Sequence, residues 1–423
     1  MKVTVVGGGK MGLPLACVFA SRGATVTVCD VDSAKVDSIN SGVCPFYEPG
    51  VDELLAEGVK KGVLRATTET ASAIADSEVV VVIVPVMLSD AREADLTIID
   101  EVAQIASSSL RPGTMISFET TLPVGGTRRL GGIIDQGGLR AGVDYDLVFS
   151  PERVKSLYVL SHLFDNPKIV GGITPKSAAR GEEFYSRYLG APVINVGSLE
   201  AAELVKLAGM IYRDVNIALA NELALFAERM GLDFEPIRAA ANTDGESNLL
   251  LPGIGVGGHC TPVYPYFLIN EARTRGIPVE LAELARKINA SQPRRVLDKI
   301  GNVKDKKCIV LGVSFRPQVK ESAYSPAFTL VTELLQRGAK VTVHDPLYTD
   351  EEIRRLGLEP GEIAGNEVVI LNTAHDAYLE LDFAELARTG LKCVVDGRNV
   401  WNPDEVTKHG VTYIGVGRVP RWQ

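Results

Sequence analysis

Apolar residues in this chain arrive in short bursts, and the spacing between them changes along its length. "KVTVV" (Lys2 to Val6) is a strand-length run. It is followed by the turn "GGGKMG", an apolar stretch at helical spacing, and a second strand-length run from Val26 to Cys29. Strand, turn, amphipathic helix and strand in that order build a parallel sheet. Further bursts in "SEVVVVIVP", "GTMISFETT" and "YDLVFSPE" end at Pro85, Thr121 and Glu152. From Leu199 to about Met230 the period becomes helical. Leu204, Leu207, Ile211, Val215, Ala218, Leu219, Leu223 and Phe226 recur with no proline between them. About 30 residues at 1.5 Å rise give a helix of roughly 45 Å, longer than a small domain is wide. Such a helix joins domains and offers a dimer seam. Strand-length runs then return in "KKCIVLGVSF", "AKVTVHDP", "NEVVILNT" and "CVVDGRN". The pattern predicts an α/β protein with two Rossmann-like parallel-sheet domains joined by a long central helix. Boundaries are expected at 1–197, 198–298 and 299–423.

Composition narrows the partners. An apolar fraction of 46% and a charged fraction of 23% suit a soluble globular protein. The net charge of −9, with no polybasic arm, argues against nucleic acid. The longest apolar run, "VVVVIVPVML", is interrupted by Pro85 and is too short for a membrane span. The N-terminus leads straight into a strand rather than a signal peptide, so a cytoplasmic protein is expected. Six cysteines, widely spaced and without a CxxC pair, argue against a disulfide framework and against a metal site.

The glycine turn supplies the first chemistry. Gly7, Gly9 and Gly12 form GxGxxG, where the glycines permit a tight turn, close approach to a pyrophosphate and close helix–strand packing. The helix behind the turn aims its amides at the phosphates. Asp30 ends the second strand about 20 residues on, where an acid accepts both ribose hydroxyls and disfavours a 2′-phosphate. NAD is therefore the expected cofactor, with Lys35 tempering the preference where it reaches the ribose. Lys10, Met11, Pro85 and Thr121 complete the expected cofactor contacts. Thr121 and Glu152 stand at the carboxyl ends of strands, where ligands bind in open α/β sheets, although both types also serve as caps. Lys206 lies among apolar neighbours, as a snorkelling surface lysine does. The second sheet lacks GxGxxG and suits a nucleotide held at its strand ends.

Together these blocks resemble the NAD-dependent nucleotide-sugar 6-dehydrogenases, a family including UDP-glucose, GDP-mannose and UDP-N-acetylmannosamine dehydrogenases. The resemblance runs through "GGGKMGLPLA", "INSGVCPFYEPG", "ETTLPVG", "SPERV", "AAELVKLA", "RDVNIALANELA", "PGIGVGGHCTPV" and "GVSFRP". It leans to the N-acetylhexosamine branch and to UDP. It implies oxidation of a sugar CH2OH to a carboxylate with two NAD, through an aldehyde and a thioester on Cys260, as part of uronic acid and polysaccharide biosynthesis. In that pattern Lys206 stabilises the oxyanion, Glu152 positions or activates water, and Thr121 orients it near C6. The loop from Asn248 to Gly258, including Gly257, lines phosphates and sugar. Tyr264, Tyr266, Phe267, Phe315 and Arg316 complete the substrate side, with helix-start packing as the alternative for Tyr266 and Phe267. A homodimer through the long helix is implied.

Four positions depart from the family pattern. Met210 stands for an asparagine that shares the oxyanion, and Tyr264 for a proton-handling aspartate. Glu246 stands for an arginine that reaches a neighbouring subunit's substrate, and Ala323 for another arginine. Two alternatives follow: a two-electron variant with a changed substrate, or a non-catalytic relative that holds NAD and a nucleotide sugar. Retention of Cys260, Lys206, Glu152 and Thr121 together favours the working enzyme.

Overall fold

The computed structural model describes residues 1–420. The chain divides into two compact units. The first comprises Met1–Gly209 with Tyr266–Arg275, and the second comprises Met210–Pro265 with the chain from Gly276 onward.

The first unit is built on an eight-stranded sheet. Its strands are β1 (Lys2–Val6), β2 (Thr25–Cys29), β3 (Leu64–Thr67), β4 (Val79–Val82), β5 (Met115–Phe118), β6 (Asp146–Phe149), β7 (Lys168–Gly172) and β8 (Val193–Ser198). They lie in the order β8-β7-β6-β5-β4-β1-β2-β3. β4, β5 and β6 are buried along their whole length, which is why they read as unbroken apolar runs rather than alternating ones. Three of these strands go beyond those read from the sequence: β3, β7 and β8. β7 runs antiparallel to β6, pairing Val148 with Gly172, and β8 then pairs parallel to β7. Behind the sheet, Phe19 of helix Gly12–Ser21 meets Phe184 edge-on at 5.1 Å.

The second unit carries a five-stranded sheet of β9 (Lys307–Leu311), β10 (Lys340–His344), β11 (Val368–Leu371), β12 (Cys393–Asp396) and β13 (Thr412–Gly415). Its order is β10-β9-β11-β12-β13, parallel throughout. The helical period read from the sequence is one helix, Leu199–Arg229, of 31 residues. Within the second unit, buried Asp214 of that helix pairs with Arg286 of helix Glu280–Asp298. Asn289 donates to both the carbonyl and the carboxylate of Asp214. These extra donors matter, because a buried ion pair holds only when its remaining polar atoms are satisfied.

Candidate active site

The glycine turn separates what is packed from what is open. Gly7 has φ +113°, and a Cβ there would lie 2.6 Å from the Ile83 carbonyl oxygen. A Cβ on Gly12 would overlap the carbonyl oxygen of Gly7 itself. Around Gly9, by contrast, a Cβ would meet nothing within 4 Å. The turn is thus tight against its own sheet at its ends and bare in the middle, where a pyrophosphate needs backbone. Asp30 braces the turn by accepting from Gly8 N at 3.0 Å, and its Oδ2 also pairs with Lys35 Nζ at 3.0 Å. Lys10 and Met11 are half-buried on the turn, and Pro85 is exposed just beyond β4. These residues fit NAD: an open glycine, the start of helix Gly12–Ser21 and an acid at the end of β2.

The strand ends of the same unit gather three expected catalytic residues. Thr121 is 4% exposed beyond β5, and Glu152 is half-buried beyond β6. Lys206, 8% exposed, donates through Nζ to the main-chain carbonyl of Glu152. Its setting is therefore a directed, nearly buried ammonium, not a snorkelling one. Glu152 N donates to Glu119 O at 3.2 Å, which ties the ends of β5 and β6 together.

Sequence reading missed the groups that hold these three. Glu119 is fully buried, 2.5 Å from Lys168 Nζ, and accepts from Tyr185 OH at 2.7 Å. Burial pushes the Glu119 carboxyl up, and the Lys168 ammonium and the Tyr185 hydroxyl oppose that. Glu203, also buried, accepts from Gly125 N at 2.6 Å and Thr127 N at 2.7 Å, so it caps helix Gly126–Ile134. Burial pushes its carboxyl up to about 7 against those amide bonds. Glu203 lies one helical turn before Lys206 and anchors that turn to the segment following Thr121. A charged residue at a buried helical position was the available signal.

The second unit holds the thiol loop. Two asparagines of the long helix suspend its backbone. Asn216 donates to Asn248 O at 2.7 Å and accepts from Leu250 N at 2.9 Å. Asn221 accepts from Gly253 N at 3.0 Å. These contacts explain the "NIALAN" stretch, whose asparagines the motif reading did not assign. Further on, Gly258 N donates to Ala323 O at 2.9 Å. A Cβ on Gly257 would lie 2.6 Å from Phe315 Cβ, and one on Gly258 would strike the Phe315 ring. Cys260 is partly exposed, and its carbonyl accepts from Tyr264 N at 2.9 Å, so it opens helix Tyr264–Thr274. Phe315 and Arg316 are half-buried beyond β9. Of the departing positions, Met210 and Tyr264 are half-buried, while Glu246 is exposed in a turn bound by Asp244.

Tyr266 and Phe267 belong to the first unit. Phe267 is 1% exposed and gives its ring to the interior. Arg92 donates to Tyr266 OH at 2.9 Å and lies 5.4 Å above its ring.

The chain matches family models of the UDP-glucose/GDP-mannose dehydrogenase family over three segments. They are the NAD binding domain at 1–189, the central domain at 200–291 and the UDP binding domain at 309–403. It is 30% identical to a UDP-N-acetyl-D-mannosamine dehydrogenase of Pyrococcus horikoshii, covering 99% of each chain. It is 30% identical to a UDP-glucose 6-dehydrogenase of Bacillus subtilis, over 99% of this chain and 93% of the relative. The solved structure of the Pyrococcus horikoshii UDP-D-ManNAc dehydrogenase superposes with a TM-score of 0.89 at 29% identity, over 99% of each chain. An open glycine turn with its acid, a directed lysine and a thiol loop thus sit on a fold shared along the whole chain. The protein belongs to the UDP-glucose/GDP-mannose dehydrogenase family and is an NAD-dependent oxidoreductase.

Proposed function

We propose that the protein oxidises the C6 hydroxymethyl group of a UDP-linked hexose to the uronic acid, with two NAD per sugar. The observation that carries this reading is the distinctness of Cys260. Burial pushes the thiols of Cys17, Cys29 and Cys393 up to about 12, that of Cys308 up to about 11, and that of Cys44 upward. Thiols so raised are inert, because the thiolate is the nucleophile. Cys260 is partly exposed, as Cys44 and Cys393 are, and what sets it apart is its place just after Gly257 and Gly258 and before helix Tyr264–Thr274.

NAD, held by Gly7, Gly9, Lys10, Met11, Gly12, Asp30, Lys35 and Pro85, supplies a hydride acceptor. The chain's own groups do the rest. The sulfur of Cys260 adds to the C6 aldehyde and retains it as a thiohemiacetal, then as a thioester, which divides a hard oxidation into easier steps. The Lys206 ammonium offsets charge on the C6 oxygen in each tetrahedral state. Thr121 orients the attacking water near C6, and Glu152 takes a proton from that water as it cleaves the thioester. Asn248, Gly257, Tyr264, Phe315 and Arg316 hold the nucleotide sugar, with Arg316 forking a phosphate. The cofactor, thiol and nucleotide roles fall to segments 1–197, 198–298 and 299–423.

A homodimer through the long helix is part of the proposal. Tyr212, Leu219, Leu223, Phe226 and Met230 are exposed large apolar residues. At 100° per residue they fall within about 60° of one another, a continuous stripe. Phe226→Asp is expected to convert a dimer to a monomer in light scattering.

The test of the reaction is stoichiometry. With a panel of UDP-sugars, two NADH per sugar consumed is the expected result. One NADH per sugar selects the two-electron reading, which the departures at Met210 and Tyr264 favour. Cys260→Ser is expected to abolish acid formation, and unchanged turnover would overturn the covalent route.

A further inference from the structure

Beside Glu152 the first unit has a small, partly open cavity with room for about one water molecule. Its polar lining comes from Glu152, Arg153, His162, Asn166 and Lys168. Most of that lining is already committed. Arg153 donates to the Pro167 carbonyl, Asn166 Nδ2 donates to Arg153 O at 3.3 Å, and Lys168 gives one of its three donors to Glu119. His162 is the exception. Its Nδ1 is buried and has no hydrogen-bond partner among the described residues, although the residue as a whole is only partly buried. Its ring stacks on that of Tyr158, at 5.8 Å and 19°, and Tyr158 is 54% exposed.

A buried imidazole nitrogen without a partner costs free energy unless a water meets it. A one-water cavity with several polar groups around it is such a place. The location gives that water a use. A base that receives a proton at every turnover must return it to solvent, and Glu152 is half-buried with Val154 N on its Oε1 at 2.6 Å.

We infer that a water in this cavity joins Glu152 to His162, and that His162 is the relay carrying the Glu152 proton to solvent during thioester cleavage. This rests on the proposed role of Glu152. When the attacking water forms its C–O bond to the thioester carbonyl, one of its protons goes to Glu152. The C–S bond then breaks, and Cys260 leaves as thiolate. Glu152 passes its proton to the cavity water, which hands one of its own to His162 Nδ1. The imidazolium releases the proton on its other nitrogen to solvent, which leaves Nδ1 protonated, and tautomerisation of the ring then restores Nδ1 as the acceptor. The step is redox-neutral and needs no further reactant. His162 acts through Glu152 rather than on the substrate, so it is a positioning residue.

The relay is tested with the full-length enzyme, after the unaltered protein has been shown to give two NADH per sugar. His162→Ala is expected to slow steady-state acid formation roughly tenfold, with KM for the sugar little changed. The first-turnover burst of NADH should remain at its normal rate. Imidazole added at tens of millimolar should restore much of the lost turnover. His162→Gln, which fills the space and hydrogen-bonds but does not shuttle protons, should match the slow variant without gaining from imidazole. A purely structural histidine gives the opposite pattern: lowered melting temperature, no imidazole rescue, and Gln as good as His. Wild-type turnover in His162→Ala likewise overturns the relay. The underlying reading fails separately, through one NADH per sugar or unchanged turnover in Glu152→Gln.

Discussion

The two parallel sheets begin alike and end differently. Each opens with a strand followed at once by a glycine at positive φ, Gly7 after β1 and Gly312 after β9. In each, that glycine is pressed against the segment after the neighbouring strand: Ile83 beyond β4, and Thr373 beyond β11. In each, the strand on the other side ends in an aspartate, Asp30 after β2 and Asp345 after β10. The fates of the aspartates separate the sheets. Asp30 accepts from Gly8 N, Asp32 N and Lys35 at the rim of an open turn. Asp345 is buried, accepts from Val313 N at 2.8 Å, Ser314 N at 2.9 Å and Leu347 N, and faces His375 Nε2 at 3.3 Å. The first acid keeps capacity for a ligand; the second has spent its capacity closing the turn. One topology therefore yields an open glycine turn in one sheet and a sealed turn in the other, with Phe315 and Arg316 the residues proposed to meet the nucleotide.

The largest effects are expected where the sheets agree. Gly7→Ala and Gly312→Ala each force a Cβ into a left-handed backbone and against a neighbour within 2.6 Å. Each should cost roughly 2–4 kcal/mol of stability in denaturant titration. Gly9→Ala, with open space around it, should leave stability unchanged and weaken NAD binding instead. A stable Gly312→Ala protein would break the parallel between the turns.

The aspartates should then part company. Asp345→Asn offers an amide nitrogen to backbone donors in a buried site and should cost about 2–3 kcal/mol, with KM for NAD unaltered. Asp30→Asn should barely change stability yet raise KM for NAD about tenfold, read from initial rates. If both variants lose stability equally, the contrast between open and sealed turn is wrong.

Titration sharpens the same contrast between buried carboxylates. Burial pushes Asp345 upward, but His375 and the Ser314 and Leu347 amides outweigh it and hold the carboxyl below its ordinary range. Its stabilisation is present above that range and disappears as pH falls through the lower folded value. Glu203 has the opposite sign. Its carboxyl stands at about 7 against an ordinary 4.5, so the folded state binds the extra proton between those values. Stability from Glu203 is full below 4.5 and is lost as pH rises toward 7, by up to about 3 kcal/mol. Glu203→Gln should flatten the decline in melting temperature between pH 5 and 7.5. An unchanged slope would assign the decline to other groups, Glu119 first among them.

What the sequence disclosed follows from how local each feature is. The β1 turn was legible because Gly7, Gly9, Gly12 and Asp30 are one strand, one helix and one strand apart. The helix Leu199–Arg229 was legible because its period is continuous. The supports were not legible, because they join distant positions through side chains whose types fit many roles. Glu119 and Lys168 are 49 residues apart, and Asn221 and Gly253 are 32 apart. β7 escaped because Lys168–Gly172 mixes a charge and two glycines into a short run, and only its pairing with β6 makes it a strand. The burial of Phe267 escaped for a related reason: a ring at a helix start serves an interior or a ligand equally well until its neighbours are known.

The smallest expected effect tests how open the cradle is. Lys35 and Asp30 form an ion pair at 3.0 Å whose side chains keep 28% and 10% of their exposure. A partly exposed pair contributes about 0–1 kcal/mol to stability, so Lys35→Ala should leave the melting temperature almost unchanged. Its effect should lie in cofactor choice. With Lys35 present, the Asp30 charge is partly offset, and the repulsion of a 2′-phosphate is weaker than the bare carboxylate would give. Removing the ammonium restores that repulsion while leaving the acceptor geometry at the ribose intact. The variant should therefore change KM for NAD by no more than two- to threefold and raise KM for NADP by a larger factor. Discrimination that falls instead would mean that Lys35 holds Asp30 in place for NAD, and that the cradle depends on the pair rather than on the acid alone.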